Sequence, residues 1–177
     1  MRDNFYVITG GPGAGKTTLL ETLSKYNVIC VPEVARQIIR EQVEQGGGAL
    51  PWDDVVQYKD LMLQRSIEDY LRIDTFLPVF FDRGIPDTLA YARLIGHPLP
   101  AGIAEQYRCN KNVFILPPWE EIYRTDSERK QTFREAIDVC RRLEDEYAGH
   151  GYNIIEVPQV SAEERARFVL RQIHYVF

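Results

Sequence analysis

The sequence predicts an α/β domain in which helices cover both faces of a parallel sheet. Three observations lead there. Five short runs rich in aliphatic, β-branched and aromatic residues recur along the chain: Phe5–Thr9, Val28–Val31, Pro78–Asp82, Asn112–Leu116 and Tyr152–Val157. The runs are near-continuously apolar rather than alternating, as strands covered on both faces are. Helical stretches lie between them, and strand–helix alternation builds right-handed βαβ crossovers. A length of 177 residues fits one such domain, and no linker divides it.

The first run passes through a glycine-rich turn into a helix expected over Lys16–Tyr26. Helix Val34–Gln45 follows the second run. In Asp53–Arg72, the residues Val56, Leu63, Ile67, Tyr70 and Leu71 stand near helical spacing. Pro86–Ile95 follows the third run, with a proline suited to a first helical turn. Glu128–Tyr147 follows the fourth. Ser161–Tyr175 closes the chain and opens with a Ser161-Ala-Glu-Glu164 capping box. Gly46–Pro51 reads as a surface loop.

Composition narrows the function classes. Hydrophobic residues at 45% and charged residues at 27% are ordinary for a soluble globule. A formal charge of -5 argues against a broad grip on nucleic-acid backbones. Cys30, Cys109 and Cys140 are scattered and odd in number, and His97, His150 and His174 do not cluster. They form neither a disulfide framework nor a CxxC metal site. The expectation is a reducing, cytoplasmic setting without nucleic-acid partners. No N-terminal segment resembles a signal peptide, and no apolar run is long enough for integral membrane association.

The segment Gly10-Gly11-Pro12-Gly13-Ala14-Gly15-Lys16-Thr17 matches G-x-x-x-x-G-K-[ST], between an expected strand and an expected helix. Glycines let successive backbone N–H groups converge on one concavity. The helix N-terminus adds partial positive charge there. Lys16 reaches the β- and γ-phosphates of a nucleoside triphosphate, and the Thr17 hydroxyl ligates magnesium. Gly11, Pro12, Gly13, Ala14, Gly15, Lys16, Thr17 and Thr18 are therefore the candidate nucleotide-binding residues. The third strand ends in Asp82-Arg83-Gly84. Ligands of open α/β sheets bind at the carboxyl ends of strands. Asp82 there serves the magnesium shell or merely caps a turn, and Arg83 points at the transferred phosphate or the acceptor.

The order of phosphate loop, Pro32-Glu33 and Asp82-Arg83-Gly84 resembles the P-loop kinases of small molecules, which include nucleotide, nucleoside and ribosylnicotinamide kinases. More closely, Glu33-Val34-Ala35-Arg36, Leu50-Pro51-Trp52 and the run Asp82 to Tyr91 resemble the AAA-type, NadR/Ttd14-like ATPase/kinase-like domains. The resemblance spans essentially the whole chain. It implies a three-layer α/β/α P-loop NTPase fold with strand order 2-3-1-4-5. It implies one domain with an acceptor-side insertion at about 46–75 and a lid at about 118–135. The cofactors implied are ATP and Mg2+, and the activity is transfer of the γ-phosphate to a small-molecule acceptor.

In such kinases an acid at the position of Glu33 holds or deprotonates the acceptor hydroxyl. Glu33 also opens a helix, where a negative charge is favoured anyway. Arg36 pairs with Glu33 or grips an acceptor phosphate. Asp87 contacts the acceptor or stabilises its own first turn. Lid arginines close over the phosphates, and Arg124 and Arg129 are the candidates, with Arg134 behind them. Arginine suits the task through its planar fork and persistent charge. Backbone near Pro158 supports adenine in related kinases. No N-K-x-D motif appears where guanine recognition would need it, so ATP is expected over GTP. Trp52, Tyr58 and Tyr70 stack on a flat acceptor or simply pack, and packing is the expectation. The competing reading is a nucleotide-dependent switch or ATPase/GTPase module acting on a protein or lipid.

Overall fold

The computed structural model describes residues 2–123 and 132–175. Its elements are β1 (Phe5–Gly10), α1 (Lys16–Leu23), β2 (Ile29–Val31), α2 (Val34–Gln45), α3 (Val55–Arg72), β3 (Val79–Asp82), α4 (Ile85–Leu94), α5 (Ile103–Gln106), β4 (Asn112–Leu116), α6 (Phe133–Gly149), β5 (Asn153–Glu156) and α7 (Ala162–Gln172). A single 3-10 turn, Glu120–Ile122, follows β4. The five strands form one sheet in the order β2-β3-β1-β4-β5, and every pairing is parallel.

Alternation along the central strands sends side chains to two cores. Ile8 and Phe80 join Leu19, Phe114, Val169 and Leu170 on the face covered by α1 and α7. Val7 and Phe81, their chain neighbours, join Tyr70 and Tyr147 on the opposite face. Both faces of β1, β3 and β4 are thus apolar, which is why those runs lack a polar stripe. The edge strands depart from that pattern. β5 exposes Asn153 and Glu156, because only one neighbour pairs with it and solvent reaches its outer side.

Helix ends also differ from the expected ones, each for a local reason. α1 stops at Leu23 because Lys25 and Tyr26 donate to Thr22 and Leu23 in a tighter turn. α3 starts at Val55, where the Asp54 side chain accepts from the Gln57 N–H. Pro86 is the second residue of α4 rather than the first. The expected start of the sixth helix at 128–131 lies outside the described residues. The described helix begins at Phe133 behind a Thr132/Glu135 capping box and continues to Gly149. The capping box of α7 forms as expected, with Ser161 accepting from the Glu164 N–H. At four residues α5 is too short for its periodicity to show in sequence. Among the described residues, no helix is long and apolar enough to cross a membrane.

Phe114 is fully buried at the centre of the sheet. Phe114→Ala is expected to cost about 3–5 kcal/mol in urea unfolding. A loss under about 1 kcal/mol would be incompatible with that packing.

Candidate functional site

β1 delivers the chain to the phosphate loop at Gly10, with φ +142°. A Cβ there would lie 2.5 Å from the Leu116 carbonyl oxygen on β4, so only glycine lets the loop leave the sheet at this point. Gly15, at φ 84°, turns the chain into α1 through the left-handed region. The N–H groups from Gly13 to Thr18 have no hydrogen-bond partner among the described residues. They are the open donors of a helix N-terminus. Lys16 is buried and folds back over the loop, its Nζ 3.4 Å from the carbonyl oxygens of both Gly10 and Gly11. Burial lowers the Lys16 pKa to about 8, and Arg83 adds to the effect. Asp82, Glu33 and Asp87 only partly offset it. This ammonium has weak, long contacts and nearby unpaired amides, which is the arrangement an anion would complete.

Ile8 pairs with Asp82 across β1 and β3, so Asp82 ends its strand beside the loop. Its carboxylate is buried, and Oδ1 has no hydrogen-bond partner among the described residues. Burial raises its pKa, and Lys16 opposes that rise. An orphaned buried carboxylate oxygen fits a magnesium ion or its water shell, with the exposed Thr17 hydroxyl at the head of α1 as a second oxygen. Among the described residues, no cluster of three or more His, Cys, Asp or Glu could hold a metal by itself. The donor set therefore suits an ion that arrives with phosphate oxygens and keeps several waters.

Arg83 follows, with φ +72°, and its N–H donates to the Ile8 carbonyl at 3.0 Å. A left-handed non-glycine residue costs about 1–2 kcal/mol. Two carboxylates hold it there. Arg83 Nε donates to Glu33 Oε1 at 2.8 Å, and Nη1 donates to Asp87 Oδ1 at 2.9 Å. Arg36 Nε lies 3.1 Å from the other Glu33 oxygen, Oε2. Burial would raise the Glu33 pKa, but Arg83, Lys16 and Arg36 outweigh it and bring the value down to about 2. Glu33 is thus an ionised carboxylate between two guanidinium groups. These groups border a cleft whose rim includes Ser66, Asp69, Asp82 and Tyr107.

Asp87 is the hub of this network. Besides Arg83 it accepts from the Thr9 hydroxyl at 2.6 Å, the Tyr147 hydroxyl at 2.6 Å and the Gly84 N–H at 2.9 Å. A carboxylate offers about four lone-pair sites, so Asp87 has little capacity left for an acceptor. It also serves its own helix through the Gly84 N–H, as its place in the first turn allows. Burial raises the Tyr147 pKa well above the ordinary value, and Asp87 raises it further, so the phenol stays a donor.

The structure therefore gathers Lys16, Thr17, Glu33, Arg36, Asp82, Arg83 and Asp87 at the carboxyl edge of β1, β2 and β3. Arg124 and Arg129 lie outside the described residues. Arg134 is exposed in the first turn of α6. Pro158 lies in the turn after β5, which Gln159 ties to the Pro118 carbonyl at 2.8 Å. Trp52 departs from the packing expected of it: it is 67% exposed, because it precedes α3 and has no helix face to bury. Tyr58 and Tyr70 do pack, the first edge-on to Tyr91 and the second edge-on to Phe5. Sequence reasoning missed Thr9, Tyr147, Trp119 and Arg165. Thr9 had a visible signal, a lone hydroxyl in an apolar strand. Arg165 had one too, a charge among Ala166, Val169 and Leu170 on the buried side of α7.

The chain matches the AAA domain family (AAA_28) over residues 5–165 and belongs to it. No curated protein matches it in sequence. Several solved structures share its fold. NadR in complex with NR aligns at TM-score 0.70 and 17% identity, covering 99% of this chain and 53% of that one. Shikimate kinase from Acinetobacter baumannii in complex with shikimate aligns at 0.61 and 18% identity, covering 96% and 92%. The YorR protein from Bacillus subtilis, in complex with phosphorylated GDP, aligns at 0.60 and 14% identity, covering 96% and 95%. The domain has the three-layer α/β/α fold of the P-loop kinases, a nucleotide-binding fold.

Two predictions follow from this geometry. Asp87→Ala strands an arginine, two hydroxyls and an amide, and is expected to cost about 3–5 kcal/mol in urea unfolding. The Lys16 pKa sets a pH signature. Between about 8 and the ordinary lysine value the unfolded chain keeps a proton that the folded chain has released, so stability rises with pH in that window. Anion affinity runs the other way. Magnesium-ATP binding should weaken as pH climbs through about 8 and should take up protons at pH 8.5. Calorimetry in two buffers of different ionisation enthalpy reads that uptake, and its absence would show that Lys16 does not meet the phosphates.

Proposed function

We propose that the domain is a magnesium-ATP-dependent phosphotransferase that moves the γ-phosphoryl group to a small-molecule acceptor bound in the Glu33–Arg83 cleft. One observation carries the reading. The unpaired Asp82 oxygen lies at the β3 end, next in the sheet to the loop with its open amides, and on the rim of the acceptor cleft. Both halves of a transfer reaction thus share one edge of the sheet.

The chain's own groups divide the work. Loop amides and Lys16 orient the triphosphate and counter its charge. A magnesium ion arriving with the nucleotide would supply positive charge against the negative charge that develops during transfer. Asp82 and Thr17 would hold it. Each Glu33 oxygen spends one lone pair on an arginine and keeps another for the acceptor hydroxyl. With a pKa of about 2, Glu33 is a weak base. It orients the hydroxyl and receives the proton late, as a loose phosphoryl-transfer transition state permits. Arg83 is fixed by Glu33 and Asp87 with its remaining N–H groups available to the transferred group. Arg124 and Arg129 are the arginines this reading assigns to closure over the phosphates.

Relatives in fold bound to shikimate or NR support a small acceptor. ATP rather than GTP is the donor in this reading, and a cytoplasmic setting suits it. The double clamp on Glu33 favours one alternative. If that clamp keeps the carboxylate from meeting any acceptor hydroxyl, the domain is a nucleotide-dependent switch acting on a protein or lipid.

The test is acceptor-dependent ADP release across nucleosides, nucleotides, ribosylnicotinamide and hydroxy acids. At least one acceptor is expected to raise turnover well above water hydrolysis. Glu33→Gln should then cut transfer roughly 10²-fold while magnesium-ATP affinity stays within about threefold. Turnover indifferent to every acceptor supports the switch. Full transfer by the variant removes Glu33 from the reaction.

A further inference from the structure

The last helix reaches the phosphate loop through one residue that the phosphotransferase reading does not use. Arg165, on α7, is 5% exposed. Its Nη1 donates to the Ala14 carbonyl at 3.1 Å. Its guanidinium carbon lies 4.5 Å from the ring centre of Trp119, in the segment after β4. A Cβ on Gly15 would come within 2.9 Å of the same Nη1 and 3.2 Å of Ile122 Cδ1. The arginine therefore lies against the loop backbone, with an aromatic plate across its face.

Two features set it apart from an ordinary buried arginine. Its Nε has no hydrogen-bond partner among the described residues. No described carboxylate forms an ion pair with it either, unlike Arg83 with its two. Burial correspondingly lowers its pKa. A buried cation that no described group compensates is costly unless an anion arrives nearby. The nearest open anion cradle is the loop it touches.

Peptide geometry says how the contact acts. In a trans peptide the C=O and the following N–H point in opposite directions, and no cis bond occurs among the described residues. Once Arg165 holds the Ala14 carbonyl on the α7 side, the Gly15 N–H must face away from α7. Gly15, with positive φ, would otherwise allow that plane to flip.

We propose that Arg165 is a positioning residue of the phosphate loop, fixing the Ala14–Gly15 peptide so that its N–H faces the bound anion. Its uncompensated charge adds attraction from behind the loop, and Trp119 holds the guanidinium in register. The inference rests on the phosphate-binding part of the proposed function and is independent of the acceptor.

Inorganic tripolyphosphate with magnesium is the probe, because it lacks a base. Arg165→Met keeps the stem and removes the charge and the donors. It is expected to weaken tripolyphosphate and ATP alike by about tenfold or more, as loss of a charged hydrogen bond does. The unliganded variant should melt no lower than wild type, since a stranded charge has gone. Loss of affinity without loss of stability is a pair of changes that a merely structural arginine would not give. Arg165→Lys, which keeps a cation and a donor, should recover part of the affinity. Wild-type tripolyphosphate affinity in Arg165→Met overturns the proposal, as does a loss confined to ATP. Should that variant fail to fold, Trp119→Leu decides: about threefold weaker tripolyphosphate binding supports the lock, and unchanged binding sinks it. Lys16→Ala runs alongside as a control. If it binds tripolyphosphate as wild type does, the phosphate-loop reading itself fails, and that result is separate from any result on Arg165.

Discussion

A single buried carboxylate, that of Asp87, organises the edge of the sheet where the candidate site lies. Its four donors come from β1, from the β3–α4 corner and from α6. Without it, three elements that meet beneath the cleft would have no shared polar partner. With it, Arg83 is held in a backbone conformation that it would otherwise avoid. That conformation in turn presents the guanidinium to Glu33. The order of dependence runs inward to outward, from a saturated acid through a strained arginine to an acid with lone pairs to spare. Satisfied networks of this kind are rigid, because each group removed leaves a desolvated partner behind.

Electrostatics at this edge divide between compensated and uncompensated charge. Glu33, Arg36, Arg83 and Asp87 neutralise one another within hydrogen-bond distance. Lys16, Asp82 and Arg165 do not. Among the described residues, the first has only long contacts to carbonyls, the second an oxygen without a partner, and the third no acid paired with it. The compensated set borders the Glu33–Arg83 cleft and is held together by its own ion pairs. The uncompensated set surrounds the phosphate loop, where a metal and a polyanion would bring the missing charges.

Much of the architecture was legible in the chain. The central strands declare themselves because burial on both faces leaves no room for a polar stripe, and the loop motif is fixed by the need for bare backbone at Gly10, Gly13 and Gly15. Glu33, Asp82 and Arg83 could be placed because strand ends in such sheets converge. The contacts that decide roles were not legible. Asp87 looked equally like an acceptor ligand and a helix-opening charge, and only the arrival of Thr9 and Tyr147 from distant positions shows its carboxylate to be full. Tyr147 follows Ala136, Cys140 and Leu143 along the buried side of α6, so its spacing signals core and hides its hydroxyl. Arg165 sits 151 residues from the carbonyl it binds. Periodicity reports which face of a helix is covered and carries no information on what a polar tip will meet there.

The sheet's two open margins have a different consequence. β2 is three residues long and β5 shows Asn153 and Glu156 to water. A brief margin offers few amides to a foreign chain, and an acid on the other makes added pairing electrostatically poor. A parallel sheet with a dense apolar centre would otherwise invite end-to-end stacking into fibrils. Here the short β2 and the exposed acid on β5 work against such polymerisation.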